Sequence, residues 1–369
     1  MIKRKLLAID GGGIRGMIAL RVLAKIESTL RLKFNSPDLV LADYFDFIGG
    51  TSTGGIIAAA LSMGMTVSEI ESFYRKQASR IFSPTKNPIK HWLYAKYDAS
   101  ALTDEIKHVF GSDTMLGSEK LKSLLMLVMM NGSTASPWPI TNNPYAKYNN
   151  PIYGDENNLN LPLWQLVRAS TAAPYFFEPE EISIGKSKYL FYDGALTSLN
   201  NPAFKLFQLA TLPAYGLGWQ TGSDRMLLVS VGTGQIPKEI ERLRLIDKQI
   251  GSVLASAMQN LMFAGGEEVD IQCRCFANVL AGLPIDSEVG DFIATPTIGS
   301  PHYSYMRFNV ILNQKGLSTF GCEDLLSNTN FRLDDIGSLE ACATVGDAIA
   351  DKMIRPKLFE DFNQLKIAS

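Results

Sequence analysis

Gly50-Thr51-Ser52-Thr53-Gly54 sets a serine between two threonines and two glycines, straight after one apolar run and straight before another. The spacing fits G-x-S-x-G, which acts as a nucleophile elbow when it lies on a sharp turn between a strand and a helix. The glycines have a steric task there. A nucleophile at the tip of so tight a turn needs neighbours without side chains, so that its Oγ stands clear of the sheet. The helix starting at the serine offers free N–H groups and a positive dipole end, both favourable to an oxyanion. The plainer reading is a glycine turn whose Ser52 only caps the helix, and the strand–turn–helix frame weighs against it.

A serine nucleophile needs a base. The three histidines, His91, His108 and His302, fall in a loop, on an amphipathic helix and in "SPHYSYM", with no recognisable motif around any of them. Something other than histidine is therefore expected to activate Ser52. Earlier in the chain, Gly11-Gly12-Gly13-Ile14-Arg15-Gly16 formally satisfies G-x-G-x-x-G after a strand. A dinucleotide site would also need an acid at the end of a second strand about 20 residues on. Glu27 and Asp43 do not fall there, and Asp10 has no part in that fingerprint. Three successive glycines followed by Arg15 suit instead a nest of backbone N–H groups, free of Cβ atoms, that can approach a developing oxyanion.

These motifs resemble those of the patatin-like phospholipases. In that family a D-G-G-G-x-R-G loop forms the oxyanion hole, a G-x-S-x-G elbow carries the nucleophile, and a later D-G-[GA] supplies an aspartate base. All three stand here in that order, as "DGGGIRG" (10–16), "GTSTG" (50–54) and "DGA" (193–195). "RASTAAPYFFEP" (168–179) is similar to the segment upstream of that aspartate, and "SVGTG" (230–234) to a late glycine turn. The resemblance implies Ser52 as nucleophile, Asp193 as base, and the N–H groups of Gly11, Gly12 and Gly13 as oxyanion hole. Asp10, Arg15, Gly50, Gly54 and Gly194 would support them, Arg15 by holding the loop or by attracting an anionic head group. The residues agree: Asp193 ends a buried strand before Gly194, which sets its carboxylate at the sheet edge of Ser52. A turn-starting aspartate is the plainer reading of Asp-Gly.

The implied activity is that of a lipid acyl hydrolase of the phospholipase A type, working through an acyl-enzyme and needing neither cofactor nor metal. "STASPWPITNNPYAKYNN" (133–150) and "FRLDD" (331–335) further resemble bacterial patatin effectors of antiphage signalling, which degrade phospholipid when a cyclic dinucleotide binds. That resemblance implies a cyclic dinucleotide activator and a cytoplasmic enzyme in peripheral contact with the inner membrane. Two alternatives stay open: a constitutive esterase or lipase, and a non-catalytic lipid- or nucleotide-binding protein on the same scaffold. Homo-oligomerisation stays open too. The apolar "HWLYAKY" (91–97) and "PYFF" (174–177) favour an acyl chain.

The elements that must carry this chemistry alternate. "KLLAI" (5–9), "YFDFIGG" (44–50), "LKSLLMLVMMNG" (121–132), "KYLFYDGAL" (188–196) and "MLLVSVGTG" (226–234) read as strands. Residues 17–32, 53–64, 66–82, 100–111 and 162–177 read as helices, the last broken near Pro174, and 83–98 as a loop. Such alternation argues for a mostly parallel sheet covered on both faces. The expected fold is a three-layer patatin-like α/β fold. Residues 5–234 would form its catalytic core, and 235–369 a mainly helical part packed on the same domain, with one strand at 305–312.

With 46% hydrophobic and 20% charged residues the chain has the composition of a folded protein with a sizeable core. The balance of 35 basic against 37 acidic residues leaves no overall footprint for a nucleic acid polymer, and "ERLRLIDK" (241–248) fits a solvated helix face. Cys273, Cys275, Cys322 and Cys342 include no C-x-x-C pair, which fits a reducing compartment without a zinc site. The apolar run in "MIKRKLLAID" is too short for a secretory signal. "LLMLVMM" (124–130) is far below the ~20 residues that span a bilayer, so membrane contact is expected to be peripheral.

Overall fold

In the computed structural model, residues 2–81, 96–236, 250–293, 295 and 298–366 are described. The readings at 83–95 and 241–248, His91 among them, lie outside these residues. The centre of the fold is a run of parallel strands: β1 (Arg4–Ile9), β2 (Phe47–Thr51) and β3 (Leu124–Asn131). These are short apolar stretches buried almost throughout, as strands covered on both faces must be. β4 (Ser136–Thr141), β5 (Glu180–Ile184) and β6 (Ser187–Asp193) extend the sheet with antiparallel pairings on one side. β7 (Met226–Val231), β8 (Ala277–Ala281) and β9 (Tyr303–Phe308) extend it in parallel on the other. Hydrogen-bonded neighbours run β5-β6-β3-β2-β1-β7-β9-β8, with β2 and β6 following one another along one edge of β3 and β4 paired to its other edge.

Successive side chains of β1 enter two different cores, which makes the layers explicit. Leu7 and Ile9 join a cluster with Leu20 and Leu23 of α1 (Gly16–Phe34) and Ile57 of α2 (Thr53–Ser62). The same cluster takes in Val67 of α3 (Val67–Ile81), Ile106 of α4 (Ala99–Phe110) and Leu166 of α5 (Leu163–Ser170). Leu6 and Ala8 join Leu206 of α6 (Ala203–Thr211) and Val269 of α7 (Ile250–Cys275) on the opposite face. Val345 and Ile349 of α8 (Leu339–Met353) return to the first cluster. The architecture is the expected one, helices on both faces of a mostly parallel sheet.

Several boundaries differ from the sequence reading, each for a local reason. Residues Leu41–Tyr44 are helical, so β2 begins only at Phe47. α5 stops at Ser170, before Pro174, because Ala169 and Arg168 already close its end through the Thr171 N–H. β4 carries Pro137 and Pro139 and still pairs with β3, opposite Met130 and Val128. Residues after 234 supply two strands rather than one, β8 having no apolar run long enough to announce itself. Among the described residues no helix is long and apolar enough to cross a membrane.

Candidate active site

β2 ends at Thr51 and α2 begins at Thr53, which leaves Ser52 alone on the turn with φ 55° and ψ −125°. This is a costly conformation for a residue with a Cβ, and neighbouring bonds impose it. The Ser52 N–H donates to Ser170 Oγ at 2.9 Å, and the Ser170 hydroxyl donates to the Val128 carbonyl at 2.6 Å. Thr51 Oγ1 donates to the Leu199 carbonyl at 2.7 Å. The flanking glycines are required by space: a Cβ on Gly50 would stand 2.0 Å from the Gly54 carbonyl oxygen, and one on Gly54 2.3 Å from that of Ile9. Ser52 makes no side-chain capping bond. Its hydroxyl donates instead to Asp193 Oδ2 at 2.6 Å.

That contact follows from sheet register. β2 pairs with β3 as far as Thr51 opposite Val128, and β6 takes over the same edge of β3 with Asp193 opposite Met129. The last residue of β6 therefore stands one step beyond the last residue of β2. Asp193 also fills the plainer role of turn starter, since Oδ1 accepts the Ala195 N–H at 2.8 Å. Gly194 packs so closely that a Cβ would lie 2.4 Å from the Val128 carbonyl oxygen. The carboxylate is 2% exposed. Burial pushes its pKa up to about 7, against the downward pull of the Ser52 and Ala195 hydrogen bonds and of the nearby Arg168 charge.

The glycine loop lies beside this pair, but its three N–H groups are not equivalent. Gly11 N–H donates to the Asn200 carbonyl at 3.2 Å and is already engaged, which differs from the expectation that all three glycines are free. Gly12 and Gly13 line the cavity with Ser52, and among the described residues their N–H groups have no partner. Gly13 has φ +55°, and its carbonyl accepts from the hydroxyls of Thr53, at 3.1 Å, and Tyr74. Thr233 Oγ1 donates to the Gly11 carbonyl at 2.7 Å. Asp10 is held by a bidentate ion pair with Arg307 of β9, at 2.8 and 2.6 Å.

Arg15 is 4% exposed and is not among the residues lining the Ser52 cavity. It lines a second cavity of mixed lining with Asp10, Asn200, Thr233, Gln259, Met262 and Phe263. Burial lowers its pKa to about 10. His108 and His302 stay away from Ser52, His302 lying near Thr221 and Phe276. Sequence reasoning missed Tyr74, Ser170, Asn200, Thr233 and Arg307. Ser170 and Thr233 lay inside stretches already singled out, "RASTAAPYFFEP" and "SVGTG", whereas Arg307 carried no local signal.

Around Ser52 and Asp193 opens a cavity of about 650 Å³, its mouth included, lined by Ile56, Leu102, Phe176, Phe177, Met262 and Leu333. Its mostly apolar lining with a few convergent polar groups is the character of a site for an apolar ligand. The described residues contain no cluster of three or more His, Cys, Asp or Glu that could hold a metal ion.

The chain belongs to the patatin-like phospholipase family, whose sequence model matches residues 7–207. Patatin-17 of Solanum cardiophyllum is 30% identical over 245 residues, which span 62% of this chain and 60% of that protein. A cGAMP-activated phospholipase of Escherichia coli is 34% identical over 206 residues, 54% of either chain. An intracellular phospholipase A2 of Caenorhabditis elegans is 31% identical over 265 residues, which are 70% of this chain and 22% of the worm protein. The match thus spans about 60% or less of the length of these relatives.

Proposed function

We propose that this protein is a lipid acyl hydrolase that cleaves fatty-acyl esters of membrane phospholipids. The observation that carries the reading is the 2.6 Å hydrogen bond from Ser52 Oγ to Asp193 Oδ2, in the lining of an apolar cavity beside the Gly12 and Gly13 N–H groups, which have no partner among the described residues. Ser52 Oγ attacks the ester carbonyl carbon while its proton passes to Asp193, and the oxyanion is held by Gly12 and Gly13 N–H. Collapse expels the alcohol, which takes the proton from Asp193, and leaves an acyl-Ser52 ester. Water attacks that ester, gives its proton to Asp193, and Ser52 regains it as the fatty acid leaves. Removing one oxyanion donor typically costs ~10²–10³ in rate, so two such donors are a large part of the catalysis.

The relatives named cGAMP-activated phospholipases, from Escherichia coli and Vibrio cholerae, support the finer reading that a cyclic dinucleotide switches the enzyme on at a membrane surface. The test is fatty-acid release from phospholipid vesicles by the wild type and by Ser52→Ala, with and without a panel of cyclic dinucleotides. Release that depends on Ser52 supports the hydrolase, and release that also depends on one nucleotide supports the switch. Wild-type release without nucleotide would remove the switch, and inertness toward vesicles and soluble esters alike would remove the hydrolase.

A further inference from the structure

A carboxylate outside the catalytic pair joins the glycine loop to the aromatic wall of the cavity. Leu333 lines the cavity, and its carbonyl accepts the Ile14 N–H at 2.8 Å. It presses on the loop so closely that a Cβ on Gly13 would stand 2.3 Å from the Leu333 carbonyl oxygen. The next residue is Asp334, whose side chain is 5% exposed. It accepts from the Tyr97 hydroxyl at 2.9 Å, from the Lys96 ammonium, and from Arg332 Nε at 3.3 Å.

Tyr97 in turn backs the wall. Its ring stacks on Phe176 at 6.3 Å and 8° and lies 5.8 Å from Phe177, both of which line the cavity. Its N–H donates to the Phe176 carbonyl at 2.9 Å, and that of Lys96 to the Tyr175 carbonyl at 2.8 Å. Two successive residues, Leu333 and Asp334, thus grip the oxyanion loop and the acyl wall respectively. Both lie in the segment "FRLDD" (331–335), well beyond the matched 7–207.

We propose that Asp334 is a positioning residue that fixes the Tyr97–Phe176–Phe177 wall against the glycine loop, so that this enzyme prefers long acyl chains. The inference rests on the acyl-hydrolase reading. Each methylene buried against a fixed apolar wall adds to binding, and a wall free to shift loses much of that contact. A long chain touches the wall over many methylenes and a short one over few.

The experiment compares wild type, Asp334→Ala and Asp334→Asn on p-nitrophenyl palmitate and p-nitrophenyl butyrate, with thermal melts as the fold check. The expected result is a kcat/KM loss about tenfold larger on palmitate than on butyrate, as misplacement of a binding wall produces. Lys96→Met should show the same bias, and adding it to Asp334→Ala should add little. Equal losses on both esters would assign Asp334 to the loop alone and overturn the proposal, as would no loss on palmitate. Should Asp334→Ala fail to fold, Asp334→Asn carries the comparison. The same proteins are titrated with cis-parinaric acid, an intrinsically fluorescent long-chain fatty acid, whose affinity should fall about tenfold in the variant. Each assay is run with and without the panel of cyclic dinucleotides; a wild type inert in both would remove the hydrolase reading, and an unchanged cis-parinaric affinity would overturn the role of Asp334.

Discussion

At the scale of single residues, the two central groups of this site are held in states they would not adopt alone. Burial pushes the Asp193 pKa up to about 7, and in its proposed role as general base it must be ionised to take the Ser52 proton. kcat/KM is therefore expected to rise about tenfold per unit below pH 7 and to level above it, read from initial rates on a soluble ester. A profile flat from pH 5 to 8 would show that burial does not lift the Asp193 pKa to about 7. Stability runs the other way. The folded-state pKa is raised, so between the ordinary carboxylate range and pH 7 the native chain holds a proton that the unfolded chain has lost, and stability falls as pH rises through that window. Asp193→Asn should abolish turnover and melt several degrees higher than wild type at pH 8, with little difference at pH 4. Ser52 bears a second strain, φ 55° and ψ −125° with a Cβ in place. Such a position costs on the order of 1–3 kcal/mol. Ser52→Gly should therefore be inactive and about 1 kcal/mol more stable by urea denaturation, whereas destabilisation would mean that the turn is not strained.

At the scale of elements, the loop and elbow act through the strands and turns that hold them. Thr233, on the turn after β7, holds the Gly11 carbonyl more closely than Asn200 Nδ2 does, at 2.7 against 3.4 Å, and a Cβ on Gly12 would stand 2.1 Å from its Oγ1. Thr233→Val keeps the shape and removes the bond to the Gly11 carbonyl. We expect kcat to fall about tenfold with KM nearly constant, because in the proposed mechanism the loop's donors serve the transition state more than the bound ester. A change confined to KM would place Thr233 in substrate binding instead. This also separates what was legible in the sequence from what was not. An elbow and a glycine nest need particular residue types at fixed local spacing, so "GTSTG" and "DGGGIRG" could be read without a structure. The partner of each loop carbonyl is set by contacts between distant elements, and Thr233, Asn200 and Ser170 show no such spacing. β4 was unreadable for a different reason: Pro137 and Pro139 argue against a strand, yet they alternate along an edge strand, which can leave their missing donors turned away from β3.

At the scale of the whole molecule, the N-terminal loop depends on a strand from the other end of the chain. Arg307 of β9 is 3% exposed and Asp10 2% exposed, and the pair is completed by a 2.7 Å bond from Arg307 to Ser230 Oγ on β7. Burial disfavours the Arg307 charge, yet pairing with Asp10 outweighs it and holds the guanidinium above its ordinary pKa. The strand that carries Arg307 joins the sheet next to β7, so the region after 207 completes the sheet that seats the glycine loop. Breaking one side of a buried pair leaves an uncompensated charge and typically costs about 3–5 kcal/mol. Arg307→Met should therefore lose about that much in urea denaturation, while Asp10→Asn combined with Arg307→Met should recover a measurable part, because both charges are then gone. Strict additivity of the two single losses would show that the ion pair does not couple the loop to β9. Recovery of stability without recovery of kcat would fit the geometry best, since an uncharged pair can fill the space between residue 10 and β9 but cannot hold the backbone before Gly11 with the two directed bonds of Arg307.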